Sequence, residues 1–162
     1  MRQTLAVLTL LLVAGSSRAA DAVYLDQLVE TPLATLQGEF TGLKSEGCYA
    51  VAPDRYLLVS IDKKDQKPWR VILTAAPPCR RPDTGPTMDV RERAGVQLGD
   101  PVAEVVRRMG QPNAASRPED NLKKLGDMEY FYICRVSEGC ARHTSIFLKE
   151  GVVAAISEWY SE

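Results

Sequence analysis

The segment LGDPVAEVVRRMGQP, residues 98–112, combines a helix start signal, a helical repeat and a helix stop signal. Asp100 can accept hydrogen bonds from the free N–H groups of a helix N-terminus, and Pro101 suits the first helical position. Gly110 is typical of a residue that ends a helix, and the two arginines close before it suit the negative end of the helix dipole. The apolar residues recur at i, i+3, i+4 and i+7: Val102, Val105, Val106 and Met109. We therefore predict a short helix whose apolar stripe packs on a sheet.

The residues after this helix predict three antiparallel strands, because apolar, β-branched and aromatic residues cluster in three segments separated by polar and turn residues. The segments are Met128–Val136, Ala141–Leu148 and Val152–Tyr160. Glu150 and Gly151 suit a two-residue hairpin turn between the second and third strands. Residues 96–162 are therefore predicted to form short helices packed on a three-stranded antiparallel meander.

A disulfide between Cys134 and Cys140 would place these residues opposite each other in the first hairpin. Together with a turn at Glu150-Gly151, this pairing fixes a register for the meander. The row predicted across one face comprises Tyr132, Arg142 and Trp159. The row predicted across the opposite face comprises Phe131, His143 and Glu158.

The row of Tyr132, Arg142 and Trp159 is a candidate interaction surface. An arginine between two aromatic rings gains about 0.5–1 kcal/mol from cation–π contacts at an exposed site. Tyrosine, tryptophan and arginine are also enriched at the hot spots of protein interfaces. The alternative is that the row braces the sheet edge or packs under the helix.

Residues 21–95 predict a β-rich N-terminal lobe, so the class expected for the whole chain is α+β. Residues 23–37 have patchy helical periodicity that Pro32 interrupts. The strands predicted after them are Cys48–Val51, Arg55–Ile61 and Trp69–Thr74. Residues 77–95 are rich in proline and arginine and could form a basic binding strip. We predict a solvated connector there instead, since acidic residues nearby offset much of the charge.

The first 20 residues, 1–20, have the features of a cleavable secretory signal peptide. Met1-Arg2 provides a basic start, and the apolar run Leu5–Gly15 is shorter than the roughly 20 residues that span a bilayer. Small residues permit cleavage near Ala19–Ala22. Ser16 stands where a bacterial lipoprotein would carry its lipid-modified cysteine, so no lipid anchor is expected. We predict a periplasmic or secreted protein that does not span a membrane.

The part of the chain predicted to be exported carries four cysteines: Cys48, Cys79, Cys134 and Cys140. An even number in an oxidising compartment predicts two disulfides, with three possible connectivities. The short spacing between Cys134 and Cys140 favours a disulfide between them, which leaves Cys48 to pair with Cys79. The alternative is a metal site at Cys134, Cys140 and His143. A structural zinc takes four ligands, however, and the other two cysteines are distant in sequence. We predict disulfides and no metal site.

Charge and motifs favour neither a nucleic-acid partner nor an enzyme. Removal of the leader takes two arginines from the 20 basic residues and leaves 21 acidic ones, for a net charge of −3. This charge does not favour nucleic acid or an anionic membrane as a partner. His143 is the only histidine, and Ser145 lies two residues along the same predicted strand, out of reach as a nucleophile. Neither a phosphate loop nor a zinc-protease helix occurs, so we predict no catalytic residue and no cofactor.

The segment Val96-x-Leu98-Gly99-Asp100, with Val105 and Met109-Gly110-x-Pro112, resembles the motif of the BamE-like (SmpA/OmlA) envelope proteins. Tyr130-Phe131-Tyr132 and Phe147-x-x-x-Gly151-x-Val153-x-x-Ile156 continue the likeness, which covers residues 96–160. The family, and the similar fold of the β-lactamase inhibitor proteins, implies short helices against an antiparallel sheet of about three strands. This chain departs from the lipoproteins of the family at Ser16 and in its Cys134/Cys140 hairpin.

Together these features predict a non-enzymatic protein-interaction module of the bacterial envelope. The resemblance implies a role in envelope assembly or maintenance, with another envelope protein or a secreted enzyme as the partner. The first alternative is a proteinaceous inhibitor of a secreted or periplasmic enzyme. The second is a small enzyme or metal-binding protein that uses His143.

Overall fold

The computed structural model describes residues 22–137 and 140–161, with the backbone alone for residues 134–137, 140, 141 and 161. The helices are α1 (Leu25–Glu30), α2 (Leu33–Glu39) and α3 (Val102–Met109), and a 3₁₀ turn spans Lys123–Leu125. The strands are β1 (Ala22–Tyr24), β2 (Glu46–Ala52), β3 (Arg55–Asp62), β4 (Lys67–Thr74), β5 (Asp83–Thr84), β6 (Asp89–Arg91), β7 (Ala114–Ser116), β8 (Met128–Ser137), β9 (Cys140–Lys149) and β10 (Val152–Ser161). Eight of them form one mixed sheet in the order β5-β2-β3-β4-β10-β9-β8-β7, while β1 and β6 pair in parallel.

Strands β4 and β10 pair antiparallel and join the two meanders into this single sheet. Both carry runs of buried apolar residues, such as Val71-Ile72-Leu73 in β4 and Ala155-Ile156 in β10. Such runs are typical of strands that are covered on both faces. The predicted α+β class, short helices on a three-stranded meander preceded by a β-rich lobe, is therefore wrong. The chain is mostly β, because its two meanders share one sheet.

The six long strands lie where the sequence predicts them, within a few residues at each end. The three strands predicted in the N-terminal part of the chain are confirmed as β2, β3 and β4. The three predicted in the C-terminal part are confirmed as β8, β9 and β10. In β3 every second residue faces the core, since Leu57, Val59 and Ile61 are all buried. The patchy helical segment forms α1 and α2, and Pro32 precedes the first residue of α2.

All three α-helices pack on the same face of the large sheet. Their buried residues, such as Leu25 in α1, Leu36 in α2 and Val105 in α3, belong to one core cluster with sheet residues such as Leu57 and Ile156. Burial of this apolar surface is the main driving force for this arrangement. We call this the helix face of the sheet.

Helix α3 confirms the predicted helix, although not its predicted cap. Val105 is fully buried, and Val102 and Met109 pack against the core. Gly110 ends the helix with a positive φ of 79°, a conformation that favours glycine. The Asp100 carboxylate accepts a hydrogen bond from the N–H of Gln97 (2.8 Å) instead of capping α3.

The opposite face of the sheet is covered in part by residues around the 3₁₀ turn. Leu125 packs there against Ile72, Phe147 and Ala155. The predicted disulfide Cys48–Cys79 is present and ties β2 to the segment that follows β4. Residues 77–95 contain the short strands β5 and β6, so this segment is not only a solvated connector.

The C-terminal meander has a different register from the predicted one. The turn at Glu150-Gly151 is confirmed, since Val152 pairs with Lys149. A β-bulge between Val153 and Ala155 then shifts β10 by one residue, which exchanges the faces of its later side chains. In the first hairpin β8 extends to Ser137, and Cys134 pairs with Arg142 instead of Cys140.

Several predictions lie outside the described residues. These are the signal peptide within residues 1–20 and the Cys134–Cys140 disulfide, whose side chains are not described. Within the described part of the chain, no helix has both the length and the apolar character needed to cross a membrane.

Candidate functional site

A row of four residues crosses the four central and C-terminal strands of the sheet on the face opposite the helices. Arg70 of β4 pairs with Trp159 of β10, Trp159 pairs with His143 of β9, and His143 pairs with Ile133 of β8. The β-bulge in β10 creates this row, because it moves Trp159 from the predicted partner Arg142 to His143. The row therefore depends on tertiary pairing and on a bulge.

The rings of Trp159 and His143 in this row and the ring of the neighbouring Phe131 stack on one another. The Trp159 and His143 ring centroids are 4.2 Å apart with an interplanar angle of 22°, and those of His143 and Phe131 are 5.1 Å apart with an angle of 18°. We call Arg70, Trp159, His143 and Phe131 the aromatic ladder. Ring pairs of this kind add about 0.5–1.5 kcal/mol each beyond their buried area. Phe131 and Trp159 also contact each other, with ring centroids 6.1 Å apart, so the three rings form one cluster in which each ring contacts the other two.

Arg70 ends the ladder and forms cation–π contacts with two tryptophans. Its guanidinium carbon lies 4.6 Å from the ring centroid of Trp69 and 5.2 Å from that of Trp159. Burial lowers the pKa of Arg70, and the negative charges of Glu129 and Glu119 partly counteract this effect. Arg70 stays charged, since the ordinary pKa of a guanidinium is far above neutral. Among the described residues Arg70 has no ion pair, and its buried Nε has no hydrogen-bond acceptor.

Two other buried donors lie on β10 in the same region. Trp159 Nε1 and Ser157 Oγ have no hydrogen-bond partner within the described part of the chain. Ser157 and Trp159 are two residues apart on one strand, so their side chains share a face. Buried polar groups are usually paired, so unpaired ones mark a place to look for function.

His143 is buried inside the ladder, with 7% of its surface exposed. Burial lowers the pKa of His143, so the ring is neutral at pH 7. Its ring faces contact Trp159 and Phe131. Ser145 lies on the same face two residues away along β9, as predicted, and Glu158 pairs with Thr144 instead of His143. The predicted row of Phe131, His143 and Glu158 is therefore wrong in both of its pairings. Phe131 pairs with Ser145, although its ring still stacks on that of His143.

Large apolar side chains are exposed at both ends of the ladder. Trp69 is 40% exposed beside Arg70, and Ile133 is 44% exposed opposite His143. In the described part of the chain only two other large apolar residues, Met128 and Val152, are comparably exposed. The ladder is thus the middle of an amphipathic strip with an exposed apolar side chain at each end.

The structure separates the three predicted interaction residues. Trp159 belongs to the ladder, whereas Tyr132 and Arg142 lie on the helix face. Tyr132 is buried, and its hydroxyl donates a hydrogen bond to the carbonyl oxygen of Gly110 (3.3 Å). Tyr132 and Arg142 both line an open cleft of about 500 Å³ beside the end of α3. The predicted row does not form, because the bulge places Trp159 on the opposite face.

A network of charged groups adjoins this cleft, with Asp26 and Glu158 buried and Arg93 exposed. Asp26 of α1 accepts hydrogen bonds from Arg93 Nε (2.5 Å) and Arg142 Nη1 (3.0 Å). Glu158 Oε1 accepts one from Thr144 Oγ1 (2.7 Å), while its Oε2 lies 3.8 Å from Arg142 Nε, too far for a hydrogen bond. No local sequence pattern indicates this network, since it joins residues that are far apart in the chain.

Glu158 is a neutral carboxylic acid at pH 7. Only 2% of the residue is exposed, and burial raises its pKa to about 8. The hydrogen bond from Thr144 and the charge of Arg142 lower the pKa by less than burial raises it, while the acids Glu92 and Asp26 add to the rise. The network therefore pairs its arginines with Asp26 while Glu158 holds a proton.

No three His, Cys, Asp or Glu side chains are grouped like metal ligands in the described part of the chain. No family model, curated protein or solved structure matches this chain. The resemblance to the BamE-like envelope proteins has no support from these comparisons and stays a prediction.

Proposed function

We propose that this chain is a non-enzymatic module that binds another protein through the face that carries the aromatic ladder. The exposed apolar side chains at both ends of the ladder are the main support. Tryptophan and arginine, which form one half of the ladder, are enriched at interface hot spots. Residues braced by their neighbours also lose little conformational freedom on binding, which favours affinity.

The packing of the rings favours a protein over a ligand that stacks. Nucleic-acid bases bind proteins by stacking on free aromatic faces. In the ladder, the rings of Phe131, His143 and Trp159 contact one another, and His143 is only 7% exposed. A partner therefore meets the exposed side chains of Trp69 and Ile133 beside this cluster, a mixed surface suited to protein side chains.

The proposal is tested by comparing Ile133→Asp with Val152→Asp. Ile133 and Val152 are 44% and 42% exposed, so the two variants place one charge at matched surface positions. Val152 lies at the opposite end of β10 from Trp159 and serves as the control. Each purified protein is immobilised, incubated with an extract of the organism of origin, and its bound proteins are quantified by mass spectrometry.

We expect wild type and Val152→Asp to capture the same protein, and Ile133→Asp to lose it while keeping the wild-type melting temperature. The captured protein is then purified and its affinity for each variant is measured directly. Equal affinity for Ile133→Asp and wild type would show that the ladder face is not the binding surface. If the captured protein is an enzyme that this chain inhibits, the inhibitor interpretation replaces a role in envelope assembly.

We also propose that the protein acts in the periplasm or outside the cell. The Cys48–Cys79 disulfide supports this proposal, since stable disulfides are typical of oxidising compartments. Intact mass of the protein from the periplasmic fraction, before and after reduction, tests it. We expect a chain that starts near residue 20 and carries no lipid; a chain that keeps Met1 in the cytoplasmic fraction would contradict the proposal.

A further inference from the structure

The charge of Arg70 is unsatisfied, although its side chain is held in place. Two tryptophan rings contact the guanidinium, with their centroids 4.6 and 5.2 Å from its carbon. Other arginines of the surface, such as Arg91 and Arg107, instead form ion pairs of 2.5 Å with Asp89 and Glu104. Glu119 and Glu129 act on Arg70 only through their charge, and no ion pair joins Arg70 to a described residue.

From this arrangement we infer that Arg70 binds the carboxylate of an acidic side chain in the partner protein. This inference rests on the proposed protein-binding function of the ladder face and names the chemistry of the partner. A guanidinium forms its strongest hydrogen bonds with carboxylates, and a guanidinium that is already oriented loses less entropy when it binds. Since Nε is buried, the carboxylate meets the terminal nitrogens.

The surroundings of Arg70 favour an acidic side chain over a chain terminus. Trp69 is 40% exposed, and its ring centroid lies 4.6 Å from the Arg70 guanidinium carbon. A partner chain that ended at Arg70 would leave this ring uncovered. An acidic side chain allows the partner backbone to continue over Trp69.

The row also sets the spacing of the partner's side chains. Arg70 and Ile133 are three strands apart in the sheet, which corresponds to about 14 Å. An extended segment advances about 3.3 Å per residue, so it covers this distance in about four residues. The partner segment therefore carries an aspartate or glutamate about four residues from an apolar side chain that contacts Ile133.

Intrinsic fluorescence reports on this site directly. The chain has two tryptophans, Trp69 and Trp159, and both contact the Arg70 guanidinium. The probe is an acetylated and amidated peptide with a glutamate and a leucine four residues apart. Its glutamine counterpart and the same glutamine peptide with a free C-terminal carboxylate are the comparison peptides. Each is titrated to millimolar concentration into wild type, Arg70→Gln and the control Arg91→Gln.

We expect the glutamate peptide to bind wild type and Arg91→Gln about tenfold or more tightly than the glutamine peptide does. In Arg70→Gln this preference should disappear, because the variant cannot form the ion pair. Equal preference in wild type and Arg70→Gln, or no fluorescence response to the glutamate peptide, would overturn the inference. Stronger binding of the peptide with the free C-terminus would overturn it too, in favour of a chain end.

The two proposals fail in different ways. If the captured protein depends on Ile133 and binds Arg70→Gln as tightly as wild type, the ladder face still binds a protein and the carboxylate inference is wrong. If the captured protein depends on neither residue, the proposed function itself is wrong.

Discussion

Replacement of Glu158 by glutamine tests whether burial keeps this carboxyl protonated. Glutamine has nearly the same shape, can still accept the hydrogen bond from Thr144, and cannot ionise. The variant therefore removes the titration of Glu158 with little change in packing. Its effect on the free energy of unfolding should depend on pH in a direction that burial determines.

The pKa of Glu158 is raised from 4.5 to about 8 in the folded protein. Between these values the folded state binds a proton that the unfolded state has lost, so stability falls as pH rises. The slope is at most about 1.4 kcal/mol per pH unit. Over about 3.5 pH units the loss of free energy of unfolding integrates to about 5 kcal/mol. None of this loss occurs below pH 4.5, and all of it has occurred above pH 8.

The assay is urea unfolding of wild type and Glu158→Gln at several pH values from 4.5 to 9. We expect the wild type to lose stability relative to the variant steadily between pH 5 and 8. Glu104→Gln is the control, because the exposed Glu104 forms hydrogen bonds with Arg107 and Arg108 that lower its pKa to about 2. Its contribution is present above pH 4.5 and is lost as pH falls towards 2. A difference between wild type and Glu158→Gln that is flat from pH 5 to 8, or that grows in favour of wild type, would refute the reasoning.

Three further variants test the fold. Replacing Cys48 and Cys79 by serine opens a loop with a sequence separation of 31, and urea unfolding should show a loss of about 3.5 kcal/mol; unchanged stability would contradict the expected role of the disulfide. Val105→Asp buries a charge in the core under α3 and should unfold the protein by circular dichroism, whereas Ala103→Asp on the exposed side should not; a folded Val105→Asp would contradict the packing of α3. Trp159→Ala removes both stacking contacts of this ring and should lower the free energy of unfolding by about 1–3 kcal/mol, while Trp159→Phe should lose less; equal losses would show that the stack contributes little.

Local signals predicted the elements of this protein well. The long strands alternate apolar and polar residues or carry apolar runs, and α3 has its apolar stripe and its terminal glycine. The turn at Glu150-Gly151 also follows from local chemistry, because both residues adopt positive φ values there, 53° and 80°. Each of these features depends on residues within a few positions of one another.

The arrangement of the elements could not be predicted in the same way. The apolar run Val71-Ile72-Leu73 indicates a strand covered on both faces, yet nothing in it identifies β10 as its neighbour. The network of charged groups has the same difficulty, because Asp26 and Arg142 are 116 residues apart. Pairing between distant strands depends on how much apolar surface is buried on both faces of the whole sheet. A local sequence pattern does not contain this information.

One inserted residue accounts for the error at the candidate site. Val153 still pairs with Leu148, but after the bulge Ala155 pairs with Phe147. Because side chains alternate between faces, a shift of one residue moves Trp159 away from Arg142 and onto His143. The predicted face and partners of Trp159 were therefore wrong, and its place in a binding surface stays a prediction.

The same shift explains why two unlike groups occupy neighbouring positions in β10. Glu158 points to the helix face, where it meets Thr144 and Arg142, and Trp159 points to the ladder. A register without the bulge would exchange these faces, leaving a tryptophan among the charged groups and a carboxyl in the aromatic stack. That carboxyl would be buried without the hydrogen bond from Thr144, at a cost of about 1–3 kcal/mol for an unpaired buried polar group. The bulge at Ala154 makes both faces compatible with one strand, and both the predicted pH dependence of Glu158 and the proposed binding role of Trp159 depend on it.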